Sequence, residues 1–148
     1  MTSNGVSTRR LVALALLVVA SGLAIILGSF GGWSACPHDP CGEGGGLMVI
    51  LEQSGVQFGA GVGTAVLGSV MAAAGLMSRQ GRWRDLAIAI AVVSAIGTLA
   101  LLAFHLLTEY VVRNEVLPWP YGGFFLTLLG AVVGLSAALG LRRQGVAP

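Results

Sequence analysis

Lysine is absent from this chain, and only 9% of its 148 residues carry a charge. An average soluble domain carries about 25%. There are two cysteines, two histidines and six carboxylates, which leaves little material for acid–base or metal chemistry. The basic residues are eight arginines, two pairs, one triplet and the lone Arg113, and the net charge is only +2. That is too weak a field to grip a nucleic-acid backbone. No Gly-x-Ser-x-Gly elbow, His-Glu-x-x-His pair or phosphate loop ending in Gly-Lys occurs, so no catalytic residue, cofactor or metal site is assigned. Gly59-x-Gly61-x-Gly63 lacks the spacing and the preceding strand of a dinucleotide site.

What is abundant is apolar. The aliphatic, aromatic and sulfur residues make up 55% of the chain, and 23 glycines raise the apolar-plus-glycine share to about 70%. A soluble globule of this length cannot hide so much apolar surface. The expected class is therefore an all-α integral membrane protein, in which the lipid bilayer is the first partner.

A spanning helix needs about 20 apolar residues. Leu11–Phe30, Leu86–Leu107 and Gly122–Leu141 meet this, and Phe58–Met77 supplies a fourth span. One integral membrane domain over residues 1–148 follows, with outer loops 31–57 and 108–121 and an inner loop 78–85. A single helix from Leu47 to Met77 would be about 46 Å long, well beyond the hydrocarbon layer. Either it projects outward, or Leu47–Leu51 is a separate interfacial piece.

Arg9, Arg10, Arg79, Arg82, Arg84, Arg142 and Arg143 flank one side of these spans, and Arg113 alone flanks the other. The positive-inside bias then places both termini in the cytoplasm, in a four-helix antiparallel bundle of the cytoplasmic membrane. Trp33, Tyr110, Trp119 and Tyr121 fall at outer span ends and Trp83 in the inner loop, where amphipathic rings serve as interface anchors. Arg9–Arg10 before an apolar run also has the form of a signal peptide, with Trp33-Ser34-Ala35-Cys36 near a lipoprotein cleavage site. The apolar run is longer than a usual signal core, so it is read as a retained span.

Helices in lipid associate through small residues. Gly55, Gly59 and Gly63 recur at steps of four, beside a second ladder of Ala60, Thr64, Gly68 and Ala72. Gly130, Gly134 and Ala138 do the same in the fourth span. These stripes suit packing within the chain, or a seam for a second copy or a larger membrane-protein partner.

Two clusters carry candidate chemistry. Cys36 and Cys41 share the outer loop with His38, Asp39 and Glu43. On the oxidising side of a membrane, paired cysteines form a disulfide. A metal site or a redox pair are the alternatives, although the redox motif has a shorter spacing. Ser94, Thr98, His105 and Glu109 share one stripe of the third span, and with Glu52 they could line an outer polar cavity. The plainer reading puts His105 at the outer interface and bonds the hydroxyls to their own helix. No charge occupies the middle of any span, which argues against a pump, transporter or voltage sensor.

Gly28-Ser29-Phe30 followed by Trp33, Gly63-Thr64-Ala65-Val66-Leu67-Gly68, and the arginine-rich inner loop resemble a known pattern. So does Gly123-Phe124-Phe125-Leu126-Thr127-Leu128-Leu129-Gly130 leading to Leu141-Arg142-Arg143. The pattern is that of small four-span membrane proteins of high-GC Gram-positive bacteria, a group without an assigned activity. The resemblance implies a fold and a compartment. The functional expectation is a non-enzymatic accessory or assembly subunit. The alternatives are a small ion- or ligand-handling protein using His105, Glu109 and Glu52, and an extracytoplasmic thiol-redox or metal protein using Cys36 and Cys41.

Overall fold

The computed structural model describes residues 3–33, 55, 59–113 and 122–145. Four α-helices carry the described chain: α1 (Ser3–Phe30), α2 (Ala60–Met77), α3 (Arg84–Arg113) and α4 (Gly122–Gly145). A single 3-10 turn, Gly81–Trp83, links α2 to α3. Each helix contains a window long and apolar enough to cross a membrane, namely Thr8–Phe30, Ala60–Met77, Arg84–Thr108 and Gly122–Gln144.

The reason these windows fold as helices is backbone chemistry. A chain without water around it must satisfy every N–H and C=O internally, and a helix does so within one segment. Serine and threonine hydroxyls follow the same logic by donating to their own helix. On outward faces, Ser69 donates to the Ala65 carbonyl and Ser136 to the Val132 carbonyl, each at 2.9 Å.

The helices form a ring in chain order. α1 lies against α2 and α4, and α3 closes the ring against the same two. A core of Val18, Ile25, Met71, Ala91, Ala95 and Ala131 fills the centre. At most 44% of any spanning window is buried inside the chain. Leu27, Val66, Val93, Phe104 and Leu129 instead point outward, from all four helices. Water would penalise every side of such a surface, whereas lipid matches it.

Small residues bring the backbones together. A Cβ on Gly22 would stand 2.6 Å from the Gly68 carbonyl oxygen and from the Ala72 nitrogen. A Cβ on Gly68 would stand 2.8 Å from the Gly22 oxygen. Gly130 approaches the Ser21 oxygen in the same way, and the space at Gly134 is taken by Met71. Gly63 receives the side chain of Leu101, and Gly97 that of Leu67. The stripes of α2 and α4 are therefore occupied by this chain's own helices.

Gly59 departs from the packing role that its spacing suggests. It precedes α2 with φ 66°, in the left-handed region, and a Cβ there would meet nothing within 4 Å. It is a backbone break, tolerated because glycine has no side chain to clash. That break also removes the continuous helix from Leu47, since α2 starts afresh at Ala60. Two other boundaries differ from hydropathy alone. α3 runs on to Arg113, through the start of the expected outer loop, and α4 runs on to Gly145.

Candidate functional site

At the end of the bundle formed by Phe30, the chain reverses instead of leaving. The Gly31 N–H donates to the carbonyls of Leu27 and Gly28, both at 3.1 Å, closing the last turn of α1. The Gly123 N–H then donates to Gly32 O, and the Gly55 N–H to Gly31 O, each at 3.1 Å. Such close backbone contact depends on missing side chains. A Cβ on Gly28 would strike Thr127 and Gly123, and one on Gly31 would lie 2.9 Å from the Gly123 Cα.

The reversal drives Trp33 into the bundle. Its indole Nε1 donates to the Gly28 carbonyl at 2.9 Å, and the side chain is only 2% exposed. Its ring meets His105 of α3 edge-on at 5.1 Å and Phe124 of α4 at 5.8 Å. Leu102 and Phe124 complete this smaller core. Trp33 is therefore a packed plug and not an interface anchor. Hydropathy places it at a span end, but the two preceding glycines let the chain fold it inward.

The polar stripe of α3 divides. Ser94, Thr98 and His105 are all buried, as a stripe facing inward requires. The Thr98 hydroxyl donates to the Ser94 carbonyl at 2.9 Å, which satisfies it locally. His105 is packed against Trp33. Glu109 lies on the α3 backbone a turn beyond His105. Glu52 lies outside the described residues, as do Cys36, Cys41, Trp119 and Tyr121. Tyr110 lies on α3, and Trp83 is 45% exposed, with the Arg82 guanidinium 5.7 Å from its ring centre.

A polar link missed by reading spans singly joins α1 to α2. The Ser29 and Thr64 hydroxyls are 2.7 Å apart, both fully buried. One of the two hydroxyls donates to the other, and the one that accepts donates its own proton to a carbonyl of its helix, Ile25 O for Ser29 or Gly61 O for Thr64. The signal was present in the sequence: Ser21, Gly22, Gly28 and Ser29 are small residues spaced two turns apart, hence on one stripe.

At the opposite end, a cleft of about 280 Å³ opens between α1 and the α2–α3 turn. Arg79 and Arg84 stand at its rim with Ser78, and Leu11, Val12 and Ala15 of α1 line its apolar wall. Ser78 is held by donating its hydroxyl to the Gly75 carbonyl at 2.7 Å. Arg84 reaches across to α4, where one guanidinium nitrogen donates to the Leu141 carbonyl at 3.1 Å. This bond ties the first turn of α3 to the last turns of α4. In the sequence these arginines mark orientation, and nothing in their spacing signals the cleft.

No protein-family model, curated protein or solved structure matches the chain.

Proposed function

We propose that this chain is a four-span antiparallel bundle of the cytoplasmic membrane, with both termini cytoplasmic, acting as a non-enzymatic accessory or assembly subunit. Support for the antiparallel order comes from paired contacts. Val19 lies by Gly75 and Gly22 by Gly68, while Gly63 lies by Leu101 and Leu67 by Gly97. In each pair of helices one number rises as the other falls. Seven arginines flank one side of the spans and one the other, which supports the orientation.

The observation that carries the accessory reading is the filled interior. Glycine-mediated contacts bring the helices into backbone proximity, the Thr98 and Thr127 hydroxyls donate to carbonyls of their own helices, and the Ser29 and Thr64 hydroxyls satisfy each other and a helix carbonyl. The apolar exterior is left for lipid and for a membrane-protein partner or second copy. In the outer loop, a Cys36–Cys41 disulfide would stiffen the surface offered to that partner. Purification of the full chain in mild detergent tests the reading. A stoichiometric complex with a second polypeptide or a second copy is expected, and a monodisperse monomer overturns it.

The second reading, an ion- or ligand-handling protein, draws on the burial of His105 at the outer end, a turn before Glu109. Replacing His105 with Leu separates the two. Lost ligand or ion dependence with an intact fold favours handling, and an unchanged phenotype favours the accessory role.

A further inference from the structure

From the cleft at the arginine-bearing end we infer that the protein holds the phosphodiester headgroup of an anionic phospholipid between α1 and the α2–α3 turn. This rests on the membrane placement proposed above and adds a ligand to it. Three features of the cleft specify that chemistry.

The first is charge. Arg79 and Arg84 share the rim, and Arg9, Arg10, Arg82, Arg142 and Arg143 belong to the same end. Asp85, exposed in the first turn of α3, is the described carboxylate that opposes them there. A guanidinium carries five N–H donors in a fork that matches phosphate oxygens. Leu141 takes one donor of Arg84, which fixes that side chain in place at the rim. Arg79 is an exposed residue just past the end of α2 and lines the other flank of the cleft.

The second feature is polarity with depth. Arg79 and Arg84 lie at helix ends, whereas the wall runs along α1 from Leu11 through Val12 to Ala15, towards the middle of that span. A ligand that is anionic at the rim and apolar inward fits this gradient. A phospholipid has that gradient, with its phosphate at headgroup level and its acyl carbons below. The third feature is size. About 280 Å³ lies near the 300 Å³ lower end of small-molecule sites. That volume suits a headgroup with the start of a chain, while the remaining chain length lies along the apolar exterior. Basic pockets between spanning helices are a general means of selecting anionic lipids over zwitterionic ones.

The test uses the full chain extracted from membranes. Retention through an alkaline carbonate wash establishes integral membrane placement before any lipid is added. Release by carbonate overturns both that placement and this inference. The purified chain is then mixed with phosphatidylglycerol or phosphatidylcholine in detergent, and bound lipid is counted by native mass spectrometry. Phosphatidylglycerol should be retained at least about five-fold more strongly. Arg79→Gln should lower that retention about five-fold, the effect of one basic residue near an anionic headgroup. Arg142→Gln removes the same charge outside the cleft and should change retention less than two-fold, and Arg79→Lys should restore most of it. Helicity and monodispersity identify any variant that has not folded, and Val12→Trp, which fills the wall without touching charge, then replaces it with the same expected loss. Equal retention of the two lipids overturns the inference, as do equal effects of Arg79→Gln and Arg142→Gln. Displacement of the lipid by millimolar glycerol phosphate or inorganic phosphate would make the site one for a free anion and would also overturn it.

Discussion

The Trp33 indole and the His105 imidazole meet edge-on at 5.1 Å with an interplanar angle of 64°, joining the segment after α1 to the far part of α3. The α3 helix carries His105 inward on its buried stripe, but Trp33 lies past the end of α1 and does not reach this position by helix geometry. The Gly31–Gly32 reversal delivers Trp33, and the Gly28 carbonyl holds its N–H. Removing the indole leaves a cavity among His105, Phe124 and Leu102. Trp33→Ala should therefore cost about 3–5 kcal/mol. Trp33→Phe keeps most of the ring volume and loses the hydrogen bond, for about 1 kcal/mol. His105→Leu keeps the volume and loses the edge-on pair, for about 0.5–1.5 kcal/mol. Thermal unfolding in detergent, followed by helical circular dichroism, should place Trp33→Ala well below both Trp33→Phe and His105→Leu. A Trp33→Ala variant as stable as the parent would contradict the plug.

Backbone proximity at Gly22 and Gly68 gives a sharper contrast. Each faces the other's carbonyl, so the clash cannot be relieved by a flexible side chain. Gly22→Val or Gly68→Val should destabilise the bundle by about 1–3 kcal/mol or more. Gly122→Ala, where a Cβ would meet nothing within 4 Å, should be neutral. Gly59→Ala should cost about 1–2 kcal/mol for a different reason, the left-handed backbone. The same unfolding assay compares all four.

Orientation is open to direct chemistry. With Cys36 and Cys41 replaced by Ser, single cysteines at the exposed positions Gln80 and Arg143 should react with an impermeant maleimide only after the membrane is opened. A cysteine at exposed Gly122 should react in intact cells. The reverse pattern would invert the proposed topology.

The native cysteines supply a further prediction. Alkylation of the unfolded chain without reductant should modify neither Cys36 nor Cys41, and reductant should release two thiols together. Two thiols labelled freely before reduction would remove the disulfide.

Hydropathy made four apolar helices legible because each must bury its backbone polarity alone, whatever surrounds it. The ends were less legible. α3 continues to Arg113 past the point where its apolar run fades, since a helix does not stop where lipid does. Gly63, Gly68, Gly130 and Gly134 all meet other helices, as steps of four suggest, yet Gly59 in the same series does not. A ladder records which residues share a stripe and not where the helix begins. The α1 pairs Ser21–Gly28 and Gly22–Ser29 escape a four-residue ladder because their repeat is seven residues. The inward turn of Trp33 is illegible for a related reason. Periodicity describes a helix while it lasts and carries no information about the direction the chain takes after Phe30.

The break at Gly59 has a consequence for the bilayer itself. α2 starts at Ala60 and offers 18 residues, about 27 Å of rod, where the charge-free run of α1 from Leu11 to Phe30 offers 20, about 30 Å. Among the described residues, the hydrophobic girdle of the bundle is thus uneven around its circumference. Lipids beside α2 meet a shorter wall, and they must thin, or the bundle must lean, to keep apolar surface out of water. The protein carries a low side, and membrane thickness is a variable to which its tilt should respond.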